Sequence, residues 1–182
     1  IKRGIVLGAG LACCVPIMFG MLILIVKRRE PLHILFLLNF SVSVAVYFGW
    51  FGYLREFFDP QSWFGSSAFI SFLGLINIFT GFLFIRALFE RFGLPRWSRY
   101  LFNLIFVLYV PLFVFFFIFD RQRVLQFSTS WGLGASVFCL ILTVVLFRRQ
   151  KSSTWLIATI LFMALLSLLR SFLMVQGIVA PD

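Results

Sequence analysis

Acidic and titratable side chains are scarce in this chain, with six Asp or Glu and a single histidine among 182 residues. Every acid (Glu30, Glu56, Asp59, Glu90, Asp120 and Asp182) falls in a connector or at the end of an apolar run. No paired carboxylates, Ser-His-Asp set or Gly-rich phosphate loop can be assembled, so nothing points to an enzyme. The three cysteines, Cys13, Cys14 and Cys139, all lie inside apolar runs without metal-ligand spacing. Cysteines so placed ordinarily pack as small hydrophobes. His33 could bind metal only with ligands from several other positions, and the plainer reading is an interfacial hydrogen-bonder. No metal and no cofactor are expected.

Charge itself is the larger deficit. Charged residues make up 12% of the chain and hydrophobic residues 62%, against roughly a quarter charged in soluble domains. A soluble fold of this length needs far more polar surface, whereas a bilayer supplies an apolar solvent for the outer face. The chain is therefore read as an integral membrane protein. Its formal net charge of +10 does not indicate nucleic acid. The basic residues stand in short clusters at the ends of apolar runs, a pattern of topology and headgroup contact. Anionic lipid headgroups are the expected partner.

What is present is a series of apolar runs, each near the 20 residues needed to span as helix. The spacing predicts helices over Gly4–Val26, Pro31 to about Leu54, Ser66 to Glu90, Leu101–Phe119, Leu125–Phe147 and Trp155 to about Val175. In the first, Gly4, Gly8, Ala12, Pro16 and Gly20 recur every fourth residue, a small-residue face for close helix packing. In the second, Asn39, Ser43, Tyr47 and Trp50 share a face. The third carries Ser71, Gly74, Asn77 and Gly81, the fifth Gly132, Ser136, Cys139 and Thr143, and the sixth Thr159, Met163, Ser167 and Arg170. Polar groups in hydrocarbon turn toward neighbouring helices. Asn39, Ser43, Tyr47, Asn77, Ser167 and Arg170 are thus the polar-face candidates, read as glue between helices with a small-molecule or lipid cleft as the alternative.

Orientation follows from the stretch Phe84–Leu101, FIRALFERFGLPRWSRYL, in which Arg86, Arg91, Arg96 and Arg99 face the single acid Glu90. Basic connectors stay cytoplasmic. Placing this seam inside puts ten Lys or Arg on that side and five on the other, Arg170 being counted with its helix. The N-terminus is then expected outside. Arg86 and Glu90, four apart, are placed to pair across one helical turn.

The same seam carries a family resemblance. Phe84, Arg86, Leu88 and Phe89, then Pro95-Arg96 and Arg99-Tyr100-Leu101, resemble the membrane domain of bacterial seven-transmembrane receptors with diverse intracellular signalling modules. Gly4-Ile5 and Gly8, Arg28-Arg29 before Pro31-Leu32, and Gly177-Ile178 near Pro181 are similar as well. The first helix departs from that pattern, having Met18-Phe19-Gly20 where an aromatic-Asn pair is frequent. The resemblance implies an all-α polytopic bundle in a bacterial inner membrane, six helices here and a seventh to follow. It also implies a periplasmic sensory domain before Ile1 and a cytoplasmic output module, such as a diguanylate cyclase or histidine kinase, after that helix. Residues 1–182 are accordingly expected to be one transmembrane sensor domain cut from a longer protein.

The function expected is a signal relay across the membrane, operating as a homodimer, with an intramembrane lipid or small apolar ligand as a further stimulus. A small transporter or channel subunit and a membrane assembly subunit are the competing classes. Asn39, Asn77 and Thr80 are the uncharged polar groups that a transport path would use.

Overall fold

The computed structural model describes residues 2–28, 30–50, 57–59, 61–91 and 96–147, together with 169 and 173. Among them helices are the regular structure, without strands: α1 (Lys2–Arg28), α2 (Pro31–Trp50), α3 (Ser67–Arg91), α4 (Arg96–Ile118) and α5 (Arg121–Phe147). The connectors 58–59, 61–66 and 119–120 are turns or irregular. Among the described residues four helical segments are long and apolar enough to cross a bilayer: Pro31–Gly49, Ser67–Arg91, Trp97–Ile118 and Arg121–Val144. In α1 the apolar segment is Cys14–Lys27. Apart from Leu169 and Leu173, the sixth expected span, Trp155 to about Val175, lies outside the described residues, as do the stretch 51–56 and the break at Gly93–Pro95.

Two compact units divide the chain, Ile1–Leu94 and Pro95–Asp182. The division falls within the basic seam. In the first unit α2 packs on both α1 and α3. Phe36 of α2 stands edge-on to Phe84 of α3, centroids 5.5 Å apart, and Leu75, Phe82, Ile85 and Phe89 of α3 are buried.

In the second unit α4 packs on α5. The buried residues of α4 are Ser98, Phe102, Ile105, Tyr109, Leu112 and Phe116, alternating four and three apart. That is the seam spacing of helices that wrap one another knobs into holes. The outer face of α4 presents Val107, Val110, Val114, Phe117 and Ile118, an apolar surface suited to lipid.

Caps explain the helix starts. Ser66 Oγ accepts from Phe69 N–H at 3.2 Å and its carbonyl from Ile70 N–H at 3.4 Å, so α3 opens on an N-cap serine. Asp120 performs the same task for α5, its Oδ1 accepting from Gln122 N–H at 3.0 Å. Two expected boundaries are corrected here. Helix α5 begins at Arg121 rather than Leu125, because Asp120 caps it and draws Arg121–Arg123 into the first turn. Helix α4 begins at Arg96 rather than Leu101. Arginines in a helix end at headgroup depth reach water along their own stems, so charge marks the limit of the apolar run and not of the helix.

Candidate functional site

The polar stripe of α2 meets the polar stripe of α3. Asn39 Nδ2 donates to the Asn77 backbone carbonyl at 3.0 Å, to Asn77 Oδ1 at 3.2 Å and to Thr80 Oγ1 at 3.0 Å. One turn along α2, Ser43 Oγ lies 2.7 Å from Asn77 Oδ1 and 2.8 Å from the Asn39 carbonyl. Thr80 is buried, and its hydroxyl donates back to the carbonyls of Ile76 and Asn77 at 2.9 and 3.2 Å. Asparagine brings both donor and acceptor on a short stem, and a residue four places on shares its face. Two helices carrying Asn-x3-Ser and Asn-x2-Thr thus assemble a clasp within the apolar part of their spans.

Gly81 stands beside it. A Cβ added at Gly81 would lie 3.4 Å from Asn39 Nδ2, an ordinary van der Waals contact, so only a side chain larger than a methyl group would crowd the amide.

At the other end of the same hairpin is a charged pair. Arg91 Nη1, on the last residue of α3, lies 2.8 Å from Glu30 Oε2, just before α2. Glu30 carbonyl also accepts from His33 N–H at 3.1 Å, closing the first turn of α2. Arg86 Nε pairs with Glu90 Oε1 at 3.0 Å, as the four-residue spacing predicts. Glu30–Arg91, Phe36–Phe84 and Asn39–Asn77 keep one antiparallel register along α2 and α3.

Of the six polar-face candidates, Asn39, Ser43 and Asn77 come together. Tyr47 is exposed with its ring edge-on to Phe48, centroids 5.9 Å apart. Ser167 and Arg170 lie outside the described residues. In the basic seam Arg86 and Arg91 are ion-paired, and Arg99 is exposed on the first turn of α4. Thr80 and Glu30 belong to the site and are absent from those candidates. A hydroxyl one turn beyond Asn77 is the signal for Thr80, whereas Glu30 pairs across 61 residues of sequence, which no local pattern announces.

The second unit has its own polar contacts. The hydroxyls of Tyr109 on α4 and Ser128 on α5 hydrogen-bond while both residues are buried. The expected α5 face, Gly132, Ser136, Cys139 and Thr143, is buried as a whole. Ser136 and Thr143 hydroxyls donate to carbonyls four residues back, at 2.8 and 2.9 Å, so they are satisfied within their own helix and leave the face free to pack.

No curated protein and no solved structure matches the chain. The family described as 7TM diverse intracellular signalling matches residues 3–181, nearly the full length. With four spanning segments and interhelical polar clasps already in place, the chain belongs to this family of membrane signalling domains.

Proposed function

We propose that this domain is the transmembrane relay of a bacterial receptor, coupling a periplasmic or intramembrane stimulus to a cytoplasmic signalling module. Six helices, with a seventh beyond Asp182, cross the inner membrane. The Phe84–Leu101 seam and the connectors after α1 and α5 face the cytoplasm and anionic headgroups, and the N-terminus faces outward. The relay works as a homodimer and performs no reaction itself.

The observation that carries this reading is the clasp of Asn39 and Ser43 with Asn77 and Thr80. A relay needs a contact that can exchange one arrangement for another without stranding a polar group in lipid. Asn39 has three oxygens within hydrogen-bond reach on α3, so a small slide of α2 trades partners instead of losing them. Shifts of about 1–2 Å between packed helices are a common form of switching. Family membership supports the coupling to an intracellular module.

The test uses the full-length receptor with its own output module. Asn39→Val and Arg170→Leu, each inserted in the membrane at normal levels, should change basal or stimulated output. Unchanged output from both would remove the relay reading of these stripes.

A further inference from the structure

The connector between α2 and α3 is apolar where a solvated turn would be polar. Of its described residues, 57–59 and 61–66, Phe57 is 75% exposed, Phe64 51%, Phe58 43% and Trp63 38%. Asp59 carries the single charge among these described residues. The rings make one patch with α3. Phe58 and Phe64 lie 5.7 Å apart between centroids, and Phe64 and Trp63 both stand edge-on to Phe69, at 5.1 and 6.3 Å. Exposed apolar patches of this kind mark contact with a protein or a membrane.

The backbone of the connector is closed on itself. Asp59 Oδ1 accepts from Gln61 N–H at 2.9 Å, and the Asp59 carbonyl from Ser62 N–H at 2.9 Å. Ser62 Oγ accepts from Gly65 N–H at 3.2 Å, and the Trp63 carbonyl from Ser66 N–H at 3.2 Å. The Ser62 and Ser66 hydroxyls donate in turn to the carbonyls of Asp59 and Trp63, each at 2.6 Å. Water would serve these groups in a solvated turn. At the edge of lipid they must be paired within the protein.

Depth identifies the partner. Arg86 pairs with Glu90 at the far end of α3, and charged side chains there hold to the headgroups. At 1.5 Å per residue, Arg86 to Ser67 is about 28 Å of helix. The hydrocarbon layer is about 30 Å thick, so α3 begins at the opposite border and the connector lies at headgroup depth. Trp and Phe rings at that level sit between acyl chains and headgroups. A protein partner would have to displace lipid already in contact with them.

We propose that this connector is an interfacial anchor, with Phe57, Phe58, Trp63 and Phe64 inserted among the lipids of the leaflet opposite the basic seam. The anchor and Arg86 together hold the α2–α3 hairpin at a fixed height in the bilayer. With no basic side chain among its described residues, the anchor needs no anionic lipid, unlike the seam. The inference rests on the bilayer placement of α2 and α3, not on the relay reading.

The test uses the full chain in phosphatidylcholine nanodiscs holding one copy each. Cys13, Cys14 and Cys139 are replaced by Ala, and a nitroxide is attached through Phe57→Cys, which leaves the other three rings in place. Collisions with dissolved oxygen, which concentrates in lipid, should exceed those with a water-soluble nickel chelate, as at a nitroxide placed on exposed Val110 of α4. Adding Phe58→Ser and Phe64→Ser should lift the connector, so that nickel collisions rise several-fold and oxygen collisions fall, with helicity by circular dichroism unchanged. Nickel collisions above oxygen collisions before those changes would overturn the proposal, since the connector would then stand in water. Low collision rates with both reagents would also overturn it, because protein would then cover the patch. So would labelled protein that gives the same rates with and without Phe58 and Phe64.

Discussion

Asn39 and Asn77 bind each other twice, the Asn39 amide donating to both the side-chain and the backbone oxygen of Asn77 at 3.2 and 3.0 Å. Each helix of the pair therefore presents to the other a group that lipid cannot satisfy. Hydrogen bonds of this kind between membrane helices average about 0.6 kcal/mol and reach about 1.7 kcal/mol. The clasp is a modest stabiliser, but separating the helices exposes several polar atoms to hydrocarbon together.

Asn39→Val should lower the stability of the full chain by about 1–2 kcal/mol in detergent-denaturant unfolding. Asn77→Val should cost a similar amount. Because they share bonds, the double variant should lose less than the two added together, with a coupling of about 1 kcal/mol. Strict additivity would show that the two amides do not meet.

Gly81 and Gly74 provide a second test of the same geometry. Both lie on α3, but a Cβ at Gly81 meets Asn39 Nδ2 at 3.4 Å while one at Gly74 meets nothing within 4 Å. Ala at either position should be tolerated, since 3.4 Å is an ordinary van der Waals contact. Leu at 81 should displace Asn39 and destabilise the hairpin by at least as much as Asn39→Val, whereas Leu at 74 should change stability by less than about 1 kcal/mol. Thermal unfolding of the two Leu variants side by side decides it.

The clasp shows what a sequence of this type makes legible. In a chain that is 62% hydrophobic, an Asn in an apolar run stands out, and its helical neighbours at three and four places share its face. Asn39, Ser43 and Asn77 can therefore be picked out by periodicity, and so can the buried face from Gly132 to Thr143. Partner choice is less legible. Thr80 is marked in the sequence with Asn39 and Asn77 as an uncharged polar group, but that it meets the Asn39 amide shows only when α2 is laid beside α3, and Glu30 is separated from Arg91 by nearly the whole α2–α3 hairpin. Helix starts were obscured for another reason: Arg96 and Arg121 mark where the apolar run stops, but the backbone keeps its helical bonds through the interface, where arginine is tolerated.

The Glu30–Arg91 pair is half exposed, with side-chain accessibilities of 35% and 52%. Water and salt screen such a pair, so its net worth is about 0–1 kcal/mol. Glu30→Gln should therefore cost less than about 1 kcal/mol, and the difference from the parent should shrink between low and molar salt. Exchanging the charges as Glu30→Arg with Arg91→Glu should recover most of the loss. A swap as damaging as either single change would mean the two residues do not act on each other.

Topology follows from the distribution of arginine. Reporter fusions after Arg99 should be active on the cytoplasmic side, and those after Asp59 on the outer side, because basic connectors are retained inside. Neutralising Arg86, Arg91, Arg96 and Arg99 together should weaken that bias and produce a mixed population. The opposite fusion pattern in the unaltered chain would overturn the proposed orientation.

The Tyr109–Ser128 contact joins α4 to α5 where both residues are buried, so removing one hydroxyl leaves the other in an apolar seam. Tyr109→Phe retains the ring, which packs edge-on to Phe113 at 6.1 Å between centroids, and strands Ser128. Serine then has an outlet, since its hydroxyl can turn to a carbonyl four residues back, as Ser136 and Thr143 already do. Each single change, Tyr109→Phe or Ser128→Ala, should cost up to about 1–2 kcal/mol. Because the two hydroxyls share one bond, the double variant should lose less than the two single losses added together. Unfolding of the three variants in the same detergent mixture measures this, and strict additivity would show that the two hydroxyls are not partners.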